Sequence, residues 1–145
     1  MNALIPTILV LMQFFCIFFL AFRANYSQFI FFPLILFISG MAVGLVALYE
    51  IRRSKFSFFP HVRPGAKLVT TGIYRYLRHP MYLAVLWVCL SFFVSNGSVV
   101  NGFIYFLLCF TLYAKILLEE VYLLAVFPQY ATYLKESKRI FPFVW

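Results

Sequence analysis

Charged residues along this chain come in clumps, separated by long apolar stretches. Met1 to Phe22 holds no charged side chain, nor does Ala24 to Tyr49, nor Pro80 to Ala114. A helix needs about 20 apolar residues to cross the core of a bilayer. The first two stretches therefore predict one span each, near Ala3 to Phe22 and Phe29 to Tyr49. The link between them, Arg23-Ala-Asn-Tyr-Ser-Gln28, is short enough only for an antiparallel helical hairpin. The third stretch is too long for one span and is broken by Ser95-Asn-Gly-Ser98 and Asn101-Gly102, both turn signals. It predicts a second hairpin, with spans near Met81 to Val94 and Phe103 to Leu118.

The third span is short: Met81 to Val94 covers only about 20 Å of a roughly 30 Å hydrocarbon core. Either it starts below the membrane surface or the bilayer thins locally. Both place Arg78-His79-Pro80 at or just inside the interface, where Pro80 suits the first turn of a helix because its missing N–H costs nothing there. Beyond Leu118 come Glu119-Glu120, an apolar run to Phe127, and Pro128. Gln129 to Lys138 then mixes Tyr130, Tyr133 and Leu134 with charges, the composition of a helix lying on the membrane surface. Ile140 to Trp145 supplies an apolar end with a Trp suited to the interface.

Composition agrees with this pattern. Of 145 residues, 65% are hydrophobic and 11% charged, with a mean hydropathy of +0.96. A soluble domain carries about 25% charged residues, so the solvent here is largely lipid, and the length suits one domain. Basic residues exceed acidic ones by 12 to 4, and Asp is absent. The positive-inside rule is a sufficient cause for that excess, which removes the argument for a nucleic-acid partner. Glu50 to His79 carries seven basic residues against one acid and reads as cytoplasmic. With four spans, both termini and 11 of the 12 basic residues fall on that side, with Arg23 on the other. Cys16, Cys89 and Cys109 each sit alone in an apolar run and read as packing thiols, neither metal ligands nor a disulfide framework. The first segment lacks a basic leader and a small-residue cleavage site, so it reads as a retained span.

Two clusters place ionisable groups beside spans, where such groups are costly and tend to be functional. One runs from Lys67 to Tyr82. The other is Lys115-Ile-Leu-Leu-Glu-Glu120, in which Lys115 and Glu119 are four apart and able to pair. Positive-inside anchors with interfacial tyrosines would explain Lys67, Arg75 and Tyr76. They account less well for Arg78-His79-Pro80 at a helix entrance with Tyr82 one turn inward. The second cluster also reads as a helix-end ion pair, but two adjacent glutamates at a helix C-terminus oppose its dipole and call for a cationic partner. On residue types alone, the two clusters suit a zwitterionic, aromatic small molecule, without choosing among such ligands.

Leu-Val-Thr-Thr-Gly-Ile-Tyr-Arg-Tyr-Leu-Arg-His-Pro-Met-Tyr is followed about 40 residues later by Glu-Glu-x-x-Leu, and then by Phe-Pro-Gln-Tyr-Ala-Thr-Tyr. This pattern resembles the isoprenylcysteine carboxyl methyltransferase family, related to the wider group of integral-membrane methyltransferases that includes the phospholipid methyltransferases. The resemblance covers about Phe56 to Phe143. It implies S-adenosylmethionine-dependent methyl transfer at the cytoplasmic membrane face, with the polar stretch as the cofactor loop and no metal. Cofactor residues carried over are Ala66, Lys67, Leu68 and Val69, then Tyr74, His79, Pro80, Met81 and Tyr82, and Glu119. Lys115 stands where the family places a basic residue that addresses the substrate. The whole chain, 1–145, would then be one all-α integral membrane domain of four transmembrane helices in two hairpins. Residues 1–50 would form the first two spans, and 51–145 a methyltransferase-like core with a C-terminal interfacial helix.

The sequence departs from the family's pattern at several points. Ala84 replaces a frequent Gly, Pro128 replaces a Gly, and Lys115 in place of Arg loses bidentate carboxylate recognition. The Gly-x-Gly of phosphatidylethanolamine methyltransferases is absent. The expected reaction is an in-line transfer to a carboxylate, thiol or amine on a lipophilic molecule entering from the bilayer. Arg78 and His79 would hold the methionine carboxylate and Glu119 its ammonium, while Tyr74 and the loop backbone would hold the adenosine. An amine acceptor would need a base, for which His79 and Glu120 are nearest. The rival readings are a non-catalytic membrane sensor or scaffold, and methylation of a small thiol or amine.

Overall fold

The computed structural model describes residues 4–53 and 68–140. Among them are five α-helices: α1 (Leu4–Arg23), α2 (Phe32–Arg53), α3 (Pro80–Ser95), α4 (Val99–Val126) and α5 (Tyr130–Glu136). The fold is all-helical, as expected, and α1, α2 and α4 are long and apolar enough to cross a membrane. The 16 residues of α3 extend about 24 Å, short of that length. Phe14, Phe15 and Phe18 of α1, and Phe103, Phe106 and Phe110 of α4, are exposed. In water such a surface would be costly, and in lipid it is the natural exterior.

Helix ends depart from expectation where polar side chains intervene. Helix α2 begins at Phe32 and not Phe29, because Tyr26–Gln28 forms a 3-10 turn capped by Asn25, whose side chain accepts from the Ser27 amide at 3.1 Å. Helix α4 begins at Val99 and not Phe103. Ser98 caps it by accepting from the Asn101 amide at 3.2 Å, so the Asn101-Gly102 turn signal is overruled and both residues are helical. At its other end α4 runs eight residues past Leu118, to Val126. Phe127, pushed to extended backbone by the following Pro128, ends it.

Helix α2 packs chiefly on α3, and α1 on α4. Small residues set the α2–α3 distance. A Cβ on Gly40 would lie 2.9 Å from Val88 Cγ2, 3.0 Å from the Val88 nitrogen and 3.1 Å from the Ala84 carbonyl. One turn on, Gly44 faces the Ala84 Cβ, and Ala47 is fully buried. Within lipid, close backbone approach of this kind supplies the attraction that hydrophobicity cannot. A second core joins α1, α3 and α4 through Cys16, Leu20, Cys89, Leu108, Leu112 and Ile116, so two of the cysteines are packing groups.

The two hairpins are tied at the Arg23 end by polar bonds. Arg23 Nε donates to Asn101 Oδ1 at 3.1 Å, Asn101 Nδ2 to the Asn96 carbonyl at 2.9 Å, and Asn96 Nδ2 to the Arg23 carbonyl at 2.6 Å. Each bond pairs a group that hydrocarbon would leave unsatisfied.

Replacing Gly40 with Leu should push α2 off α3 and cost about 1–3 kcal/mol through overpacking. The expected result is a lowered unfolding midpoint in detergent, with a smaller loss for the same change at Gly44. Equal, negligible losses would show that close approach at Gly40 is not what holds the pair.

Candidate functional site

At the end of the bundle opposite Arg23, the chain reaches α3 through a second 3-10 turn, Gly72–Arg75. Gly72 has φ +58°, and a Cβ there would fall 2.2 Å from Glu50 Oε1, so glycine is required on two counts. Val69 and Tyr74 pack with Ala47 and Ile51 of α2, while Leu68 packs against Phe127, Tyr130 and Tyr133. The loop is thereby anchored to α2 on one side and to the C-terminal region on the other. Ala66 and Lys67, both expected to touch the cofactor, lie outside the described residues.

From Tyr76 to His79 the backbone runs beside the C-terminal strap. The Lys138 amide donates to the Tyr76 carbonyl at 2.9 Å, the Arg78 amide to the Lys138 carbonyl at 2.7 Å, and the His79 amide to the Arg139 carbonyl at 3.0 Å. Tyr133 of α5 donates its hydroxyl to the Tyr74 carbonyl. Burial pushes that phenol up to about 12, so it stays a neutral donor across the physiological range. Pro80 occupies the first turn of α3, as expected, with His79 at its N-cap position.

Glu120 sits at the centre of the charged groups. Arg78 Nε donates to its Oε1 at 2.9 Å and Arg139 Nε to its Oε2 at 3.1 Å, and the Glu120 and Arg78 side chains are only 7% and 8% exposed. Arg78 Nη1 also donates to the Leu134 carbonyl at 3.1 Å and to the Ser137 carbonyl. One carboxylate and two guanidiniums thus join α4, the entrance to α3 and the strap. Here is the cationic partner that the adjacent glutamates demand. The dipole argument itself lapses, because α4 continues six residues beyond Glu120.

Glu119 is placed differently. Its side chain is 46% exposed, and its Oε1 accepts from the Tyr82 hydroxyl. His79 lies between the two carboxylates, with Nδ1 3.6 Å from Glu119 Oε2 and Nε2 3.6 Å from Glu120 Oε1. Its ring stacks on Tyr82 at 5.6 Å. Two buried polar atoms here lack a hydrogen-bond partner among the described residues: His79 Nε2 and the Tyr130 hydroxyl. Burial raises the Tyr130 phenol, and the Glu120 charge raises it further.

Of the residues singled out in sequence, Tyr74, Arg78, His79, Tyr82, Glu119 and Glu120 gather at this end of the bundle. Met81 turns away to a groove between α1, α2 and α3. Lys115 is not paired with Glu119 despite the helical spacing. Its ammonium donates to Gln13 Oε1 at 2.6 Å and lies 5.0 Å from the Tyr82 ring centre. Sequence reading missed Tyr133, Ser137 and Arg139, whose partners lie 19 to 59 positions away. It also missed Gln13, whose one signal is an amide within an apolar span.

Replacing Glu120 with Ala leaves two guanidiniums facing each other without their anion, and loss of one partner from a buried pair costs about 3–5 kcal/mol. Glu119→Ala removes one hydrogen bond at a half-exposed position, about 1 kcal/mol. Thermal unfolding in detergent should therefore show Glu120→Ala far below Glu119→Ala. The reverse order would contradict the clamp.

A family model described as phospholipid methyltransferase matches residues 28–130, more than two thirds of the chain. No curated protein and no solved structure matches it. The matched stretch contains α2, α3, α4, the Gly72 turn, His79, Tyr82 and both glutamates, and on that match the chain belongs to the phospholipid methyltransferase family: it is a membrane methyltransferase.

Proposed function

We propose that this methyltransferase uses S-adenosylmethionine as donor and methylates an amphiphilic acceptor at the cytoplasmic face of its membrane. The observation that carries the reading is the pairing of an accessible carboxylate, Glu119, with His79 and Tyr82 at one end of the bundle. The donor set fits the cofactor. Glu119 offers a half-exposed anion for an ammonium, His79 Nε2 and the Tyr130 hydroxyl are buried polar atoms awaiting a partner, and the loop at Leu68 and Val69 brings free-standing backbone beside Tyr74. When bound, S-adenosylmethionine supplies a methyl group on a positively charged sulfur, already activated for attack.

The chain's own residues then have positioning work to do. Tyr82, fixed on Glu119 and stacked on His79, sets the direction of that carboxylate. Arg78 holds Glu120 and the strap, keeping the His79 backbone in register with Arg139. Closing such a site around aligned donor and acceptor can supply roughly 7–11 kcal/mol of a barrier. A carboxylate or thiolate acceptor needs no base. For an amine, His79 is better placed than Glu120, both of whose oxygens already accept from guanidiniums. Ala66 and Lys67 complete the loop side of this reading.

The cytoplasmic assignment rests on charge. Arg52, Arg53, Arg75 and Arg78 lie at the Glu119 end and Arg23 at the other. Four crossings follow if α3, despite its 24 Å or so, spans together with its partner α2, with the loop and strap closing the gap at its Pro80 end. Both termini are then cytoplasmic.

Calorimetry with S-adenosylhomocysteine tests the pocket. Glu119→Ala and His79→Ala should each abolish binding while the detergent-solubilised chain stays folded, and unchanged affinity in either variant removes that residue from the pocket. With labelled cofactor and a total membrane lipid extract, a lipid-soluble product supports the amphiphilic acceptor. A volatile or water-soluble product moves the reaction to a small thiol or amine, and no product in any fraction supports a non-catalytic scaffold.

A further inference from the structure

Two features lie beside the proposed methyl-transfer site without belonging to it. The first is the Lys115 ammonium. Its partners are an amide oxygen, Gln13 Oε1 at 2.6 Å, and the face of Tyr82 at 5.0 Å. No carboxylate stands within ion-pair distance of it among the described residues. An amide dipole and a ring face orient a cation but leave its net charge in place, and a cation within a membrane helix ordinarily finds a counter-charge.

The second feature is an open apolar groove of about 320 Å³ between α1, α2 and α3, lined by Ile17, Gly40, Gly44, Met81, Ala84 and Val88 among others. Two neighbours connect it to the ammonium. Ile17 stands one turn after Gln13, on the same face of α1. Met81 precedes Tyr82, the residue over which Lys115 lies. An apolar trough beside an uncompensated positive charge, both within the membrane, is complementary to a molecule with a hydrocarbon tail and an anionic group.

We propose that Gln13 and Lys115 form the anion subsite of an amphiphile-binding site whose tail lies along this groove, with Gln13 as the positioning residue that fixes the ammonium over Tyr82. This deepens the methyltransferase reading above and rests on it, since the amphiphile is the acceptor. The chemistry recognised is a phosphodiester or a carboxylate attached to one or two long chains. A lysine suits either, because its ammonium is a compact point charge with no planar fork to match. The free stem of Lys115 has many rotamers, and the bond to Gln13 selects one before the anion arrives, which lowers the ordering cost of binding. Helix α1 precedes residues 28–130, so the family match assigns Gln13 nothing. Its role follows from the packing of α1 on α4.

The test uses the full chain in dodecyl maltoside and native mass spectrometry. Dioleoylphosphatidylglycerol, oleate and dioleoylglycerol are titrated separately, and S-adenosylhomocysteine affinity is measured on the same samples. The wild-type chain should prefer an anionic lipid over dioleoylglycerol, whose tails match those of dioleoylphosphatidylglycerol. Preference for phosphatidylglycerol over oleate identifies the phosphodiester, and the opposite order the carboxylate. Gln13→Leu keeps the size and helical preference of the side chain and should lower the anionic preference by roughly tenfold, the equivalent of one hydrogen bond to a charged group. Gln13→Glu, which presents Lys115 with a carboxylate of its own, should abolish it. Affinity for S-adenosylhomocysteine should be unchanged in both variants, which also reports that they are folded. Equal binding of the three lipids by the wild-type chain, or a full anionic preference in Gln13→Leu, overturns the proposal. Absence of S-adenosylhomocysteine binding in the wild type fails the methyltransferase pocket and leaves the lipid comparison to be read separately.

Discussion

The arrangement depends on one buried carboxylate. Glu120 accepts from Arg78 on one oxygen and from Arg139 on the other, and those three residues belong to α4, to the entrance of α3 and to the C-terminal strap. Without the anion the two guanidiniums would repel each other, and the strap would lose its charged hold beside Tyr76 to His79. With it, the backbone of His79 is held by the Arg139 carbonyl, and Tyr82, one turn inward, meets Glu119. Adjacent glutamates on one helix thus divide the labour. One is enclosed and holds the structure together, and the other is left half-exposed, where a ligand can reach it.

Lipid as solvent explains why so few polar residues carry so much of the organisation. Between helices that already sit in hydrocarbon, burial of Leu or Phe gains little, so attraction comes from close backbone approach and from polar groups that must find partners. Gly40 and Gly44 provide the first between α2 and α3. The bonds among Arg23, Asn96 and Asn101 provide the second at one end of the bundle, and the Glu120 clamp provides it at the other. Lys115 on Gln13 lies between these two polar layers, the one charged side chain joining α4 to α1.

Much of the helical plan was legible in the chain. The charge-free run Met1 to Phe22 delimits α1 to within about a residue, because in a membrane protein the absence of charge is the signal for a span. Helix α3 was legible for the same reason, with Pro80 as its start. The far end of α4 was not. Glu119-Glu120 read as a terminus because two anions beside a helix C-terminus are unfavourable, and their neutralisation by Arg139, 19 positions away, leaves no mark in local pattern. Lys115 failed in the opposite sense: spacing offered Glu119 as partner, but the packing of α1 on α4 brought Gln13 closer. For the site, the chemistry-bearing residues were identifiable from their motif, while the groups that hold them in place, Tyr133, Ser137 and Arg139, became visible only once the strap was seen beside Tyr76 to His79.

The most direct test of the account is a structure of the full chain in lipid nanodiscs with S-adenosylhomocysteine bound. The account predicts ligand density in contact with Glu119, His79 and Tyr82, with both guanidiniums still on Glu120. Density elsewhere, or a ligand that reaches Glu120 only after Arg78 or Arg139 has left it, would contradict the division of the two glutamates into clamp and binding group.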